Sequence, residues 1–105
     1  MSSRSKGRRG ETAAKRLLEE RDYSVEDLSA GIASCDLLAI KDGHVWACEV
    51  KNRDIINLRD FRKQARANAK KGTRWMLMCK LADTSSWYIE RQGLRPAVWH
   101  ERGSA

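Results

Sequence analysis

Apolar positions follow two periods along this chain, and the alternation between them marks its elements. Ala13, Ala14, Leu17 and Leu18 recur at spacings of three and four, which predicts a helix from about Arg9 or Gly10 to Arg21. Tyr23 and Val25 then begin a short extended piece, and residues 26–34 read as a loop or edge segment with Gly31 as its flexible point. Two runs rich in apolar and β-branched residues follow, Cys35–Ile40 and Val45–Lys51, separated by Asp42-Gly43. That dipeptide suits a tight hairpin turn, because Gly accepts positive φ and Asp can bond its own backbone. Leu58, Phe61, Ala65 and Ala69 return to the helical period, with Asn68 beside them and Gln64 bordering the stripe. This predicts a second helix from Leu58 to Lys71, N-capped by Asn57 with Asp60 three residues on, and stopped by Gly72. Residues 73–81 form the most apolar run, a buried strand; 82–85 form a turn, and 86–90 another strand. After a turn at 91–93, Pro96 restricts the last extended segment, 94–100, to a sheet edge or an irregular path.

The pattern predicts one α/β domain over residues 9–100, with a basic arm at 1–8 and a polar tail at 101–105. A chain of 105 residues builds only a small core, and pairing with a second copy would relieve that. Its 41% hydrophobic and 33% charged residues describe a folded, highly charged protein.

Charge changes the picture more than size does. The net charge is +7, which suggests a polyanion partner, nucleic acid above all. Residues 1–10 carry Arg4, Lys6, Arg8 and Arg9 and no acid; residues 57–74 carry seven basic residues and only Asp60; the stretch between is net acidic. Positive flanks around an acidic middle suit a phosphate-gripping rim around a cation site. Cys35, Cys48 and Cys79 match no zinc spacing and all fall in predicted strands, so free buried thiols in a reducing, cytoplasmic setting are expected. No run is long and apolar enough for a membrane span, and no glycine-rich phosphate loop, dinucleotide fingerprint or nucleophile elbow is present.

The candidate chemistry lies in the hairpin. Asp36, Glu49 and Lys51 interrupt otherwise apolar strands. Glu49 and Lys51 point to one face, roughly 6.5 Å apart along the strand. Pairing around Asp42-Gly43 brings residues 36 and 49 nearly level. Two carboxylates held together repel and are costly to desolvate, and Mg²⁺ or Mn²⁺ would relieve both costs. A strand-end cap at Asp36 with a surface ion pair at Glu49 and Lys51 is the other reading, and spacing alone leaves both open. Likewise Glu11 either favours a helix N-terminus or reaches the acidic centre, and Gln64 either steadies a phosphate or water there or is an ordinary boundary residue.

Asp36, followed thirteen positions on by Glu49-Val50-Lys51, resembles the Asp…Glu-x-Lys signature of the restriction-endonuclease-like metal nucleases. The opening Lys6-Gly7-Arg8-Arg9-Gly10-Glu11 is similar to the start of the archaeal-type Holliday junction resolvases and related small phage nucleases, where a first-helix Glu joins the active site. Gln64 matches a Gln often found in their second helix. The likeness covers roughly residues 6–90. It departs at Cys35, where the group has Pro, and in the segment before it, which carries little of the positive charge that junction resolvases place there. The resemblance implies a mixed central β-sheet flanked by helices. It implies Asp36, Glu49 and the Val50 carbonyl around Mg²⁺ (Mn²⁺ as substitute), with Glu11 assisting, Lys51 acting on water and phosphate, and Gln64 steadying the site. Lys6, Arg8, Arg9, Arg53, Arg62, Lys63, Arg66 and Lys70 would hold DNA, and a homodimer would present two such sites to branched or duplex DNA.

Overall fold

The computed structural model describes residues 3–28, 35–81 and 83–102, with backbone alone at 3–8 and 81. The predicted loop around Gly31, the first two residues of the arm and the tail beyond Arg102 lie outside the described residues. In chain order the elements are α1 (Ser3–Glu19), β1 (Ser24–Asp27), β2 (Leu37–Lys41), β3 (His44–Arg53), α2 (Leu58–Asn68), β4 (Arg74–Leu81), β5 (Ser86–Arg91) and β6 (Ala97–His100). The strands form one mixed sheet in sequential order. Every neighbouring pair is antiparallel except β3–β4, which is parallel and joined by α2 as its crossover.

The turn between β2 and β3 sets the register. Asp42 and Gly43 both take positive φ, 50° and 78°, the geometry of a two-residue hairpin loop whose twist matches the strands. Lys41 then pairs with His44 and Leu37 with Cys48. Continuing that register brings Asp36 level with Glu49.

The sheet is covered on both faces. Ala14, Leu17 and Leu18 of α1 pack with Leu37, Trp46, Cys48, Met76, Met78, Trp87 and Ile89. On the other face, Ala65 of α2 packs with Leu77 and Cys79, joined by Leu58, Phe61, Trp75 and Tyr88. Because side chains alternate along a strand, β4 serves both layers, Met76 and Met78 one way and Leu77 and Cys79 the other. This is why its sequence from Trp75 to Cys79 is apolar without interruption. All three cysteines are free and buried, as expected.

Some boundaries differ from the sequence reading. α1 begins at Ser3, so most of the segment expected as an arm is helical. No proline stands in residues 3–8, and Arg and Lys are good helix formers, so nothing halts the helix at Gly10. α2 ends at Asn68 instead of Lys71 because Ala69 is extended, at ψ 115°. Gly72, with φ 89°, serves the following turn, which Thr73 closes by donating from both its N–H and its hydroxyl to the Lys70 carbonyl. The N-cap was legible: the Asn57 side chain accepts from the Asp60 N–H at 3.2 Å.

Gly10 fixes how closely α1 approaches the sheet. A Cβ there would stand 2.8 Å from Cβ of Asn52 on β3. Gly10→Val should therefore push the helix away and cost about 2 kcal/mol, read as a lowered urea midpoint, despite valine's better helix propensity.

Candidate active site

Asp36 and Glu49 converge because the hairpin register sets them side by side. Trp46 and Cys48 face α1, so Glu49 and Lys51, at the alternate positions of β3, face α2. Asp36, one residue before inward-facing Leu37, lies on the α2 side as well. Its N–H donates to the Cys48 carbonyl at 3.0 Å. Its Oδ2 accepts from the Val50 N–H at 2.9 Å, taking the place of the next main-chain rung. That bond ties the Asp36 carboxylate to the backbone between Glu49 and Lys51.

Glu49 is 3% exposed. Its Oε1 accepts from Asn68 Nδ2 at 2.8 Å. Burial lifts its carboxyl pKa from 4.5 to about 7, and the neighbouring negative Asp36 pushes it the same way, against the opposing Asn68 hydrogen bond and the Lys51 charge. A buried carboxyl so raised, beside a second carboxylate, is a site short of positive charge. Lys51 supplies part of it. Its Nζ lies 5.1 Å from the Phe61 ring centroid, so α2 holds the ammonium against an aromatic face. Cys35 feels the same centre: burial raises its thiol pKa, Glu49 and Asp36 raise it further, and Lys70 opposes them.

The donor set suits a hard divalent cation. Two carboxylates in a desolvated pocket, already repelling, are oxygen ligands of the kind Mg²⁺ and Mn²⁺ take. Among the described residues, no group of three or more His, Cys, Asp or Glu is arranged to hold a metal. Glu11 is therefore not brought into a donor group with Asp36 and Glu49. Its helix α1 packs on the face of the sheet opposite α2, with Gly10 against Asn52 of β3.

The second helix also departs from the sequence reading. Gln64 is exposed, and Asn68, one turn later, is the α2 side chain that reaches the acidic centre. Phe61, Ala65 and Asn68 share a helix face, so the signal was present in the spacing; Gln64 stands at the border of that face and is exposed. Arg62, expected on DNA, turns inward. Its Nε bonds Glu90 Oε1, and its Nη2 donates to Glu90 Oε2 at 2.9 Å. The Tyr88 hydroxyl donates to that same Oε2 at 2.8 Å. These bonds, led by the guanidinium, hold the Glu90 carboxyl below its usual range. Arg9, Arg53, Lys63, Arg66 and Lys70 are exposed, and the Arg66 guanidinium lies 5.3 Å from the Trp75 ring centroid. Asn57, Arg59, Asp60, Arg62, Lys63 and Arg66 line an open groove along α2. The side chains of Lys6 and Arg8 lie outside the described residues. Among the described residues, no helix is long and apolar enough to cross a membrane.

No family model matches the chain. No curated protein matches it. A solved structure does: Hjc, a Holliday junction resolvase from the archaeal hyperthermophile Archaeoglobus fulgidus, with a TM-score of 0.60 and 21% identity over 79% of this chain and 73% of that one. At this identity the likeness is one of fold, and it gives the mixed sheet and its two helices the restriction-endonuclease-like architecture.

Proposed function

We propose that this chain is a metal-dependent endonuclease that hydrolyses DNA phosphodiester bonds, acting on four-way junctions or other branched DNA. The observation that carries this reading is the pairing of buried Glu49 with Asp36, with Lys51 on the same strand face, in a fold shared with a junction resolvase. Asp36, Glu49 and the Val50 carbonyl would hold Mg²⁺, or Mn²⁺ in its place. Bound there, the cation supplies the Lewis acidity that makes water a nucleophile near neutral pH. Lys51 orients the attacking water and stabilises the charge that grows on the phosphoryl group as attack proceeds in line. Glu11, outside that donor pair, would assist metal binding through water.

The exposed basic groups of α2 (Arg59, Lys63 and Arg66), together with Arg9, Arg53 and Lys70, grip the phosphates, so binding should fall steeply with salt. A homodimer would set two such centres against two strands, the arrangement a four-way junction requires.

A second reading keeps the nuclease and removes the junction preference. It is favoured by the low basic content of the segment before Cys35. An immobile four-way junction and a linear duplex of matching sequence, cut side by side in Mg²⁺, separate the two. Paired symmetric nicks on the junction alone support the resolvase. Equal rates on both discard the junction specialist and keep the active centre. Tight binding without cutting in any divalent cation would leave a DNA-binding module and sink the enzymatic reading.

A further inference from the structure

Asn68 occupies the last position of α2 and is half-buried. The helix that carries it is fixed from several sides. Ala65 is fully buried, Phe61 packs in the same cluster, and Arg62 clamps Glu90 on β5. Two side chains on the inner face of this helix meet the charged residues of β3. Phe61 lies under the Lys51 ammonium, and Asn68 Nδ2 donates to Glu49 Oε1 at 2.8 Å. Positions 61 and 68 are two turns apart on one face.

We infer that Asn68 is a positioning residue, whose carboxamide holds one oxygen of Glu49 so that the other is aimed at the centre shared with Asp36. The inference rests on the nuclease reading and deepens it by assigning a support to one of its metal-binding carboxylates. A glutamate has three side-chain torsions to fix, and an unsupported one must be ordered at the moment a cation binds. The chemistry of the donor matters too. A carboxamide satisfies Oε1 without cancelling the negative charge that attracts a cation, whereas a lysine or arginine at this place would compete with it. Groups that orient metal-ligating carboxylates carry about ten- to a hundredfold of metal affinity.

The test compares the natural protein with Asn68→Leu, which keeps the branched shape at Cγ and removes the donor, and with Asn68→Gln, which keeps a donor. Mn²⁺ affinity is measured on DNA-free protein by titration calorimetry, DNA affinity in chelator, kcat on a junction substrate, and the melting temperature. Asn68→Leu is expected to weaken Mn²⁺ binding about tenfold and to lower kcat similarly. DNA affinity in chelator should stay unchanged, and Asn68→Gln should recover more than Asn68→Leu. Unchanged metal affinity and kcat in Asn68→Leu, beside an active natural protein, would overturn the inference alone. So would a lowered melting temperature with unchanged metal affinity, the mark of a packing role. A natural protein that neither binds Mn²⁺ nor cuts would instead overturn the nuclease reading, and this inference with it.

Discussion

Glu49→Gln is expected to lower DNA cleavage by about a thousandfold or more and, at neutral pH without metal, to make the protein more stable. Both effects have one cause, an ionised carboxylate held in a desolvated place beside another. The Glu49 pKa rises from 4.5 to about 7 on folding, burial being the largest cause. A group whose folded pKa lies above its unfolded value binds its proton more tightly in the folded state. Its stabilising contribution is complete below about pH 4.5 and is lost as pH rises through about 7. Above that the metal-free fold carries a penalty on the order of 2 kcal/mol. Melting curves of the metal-free natural protein should therefore fall between pH 5 and pH 7.5, roughly the interval between the two pKa values. Those of Glu49→Gln should stay level across it. Glu90 and Glu101 have lowered pKa values, so their contributions are lost on the acid side instead and do not produce this slope. Added Mg²⁺ should restore the natural protein at pH 7.5 and leave Glu49→Gln unmoved. Parallel pH curves for the two proteins would refute this account of the site's electrostatics.

Arg62→Ala should act on stability, although the residue stands on the most basic helix. Glu90 is buried, and its two oxygens receive the guanidinium and the Tyr88 hydroxyl. Removing Arg62 leaves a buried carboxylate with one neutral donor. The expected result is a lowered urea midpoint, moderated by the partial exposure of the Arg62 side chain. Arg62→Lys should recover little, since an ammonium cannot make the two-pronged bond. Lys63→Ala, one residue on and exposed, should leave stability nearly unchanged, weaken DNA binding and reduce its salt slope. Urea melts and DNA titrations at several salt concentrations check both. If Arg62→Ala is as stable as the natural protein and loses DNA affinity as Lys63→Ala does, the clamp is wrongly assigned.

Why Arg62 resembles a DNA contact in the sequence is instructive. It lies 28 positions from Glu90, and nothing local announces their pairing. What was legible was local or set by a turn. Asp42-Gly43 fixed the hairpin register, and through it the meeting of Asp36 and Glu49. The N-cap at Asn57 fixed where α2 starts, and the apolar run Trp75–Cys79 within β4 announced a strand buried on both sides. What was not legible depended on packing between distant elements. Periodicity identifies the inner face of α1 but not the side of the sheet it covers, so whether Glu11 joins the Asp36–Glu49 pair could not be read. Gln64 drew attention through family likeness, while the helical phase set by Phe61 and Ala65 pointed to Asn68.

The central claim is that Asp36 and Glu49 build a cation-dependent centre for cutting DNA. The most direct test is cleavage of an end-labelled four-way junction by the natural protein and by Asp36→Asn, each in Mg²⁺ and in chelator. The account predicts nicks by the natural protein in Mg²⁺ only, and none by Asp36→Asn at matched DNA occupancy. Cleavage that persists in chelator, or that survives Asp36→Asn undiminished, would contradict it.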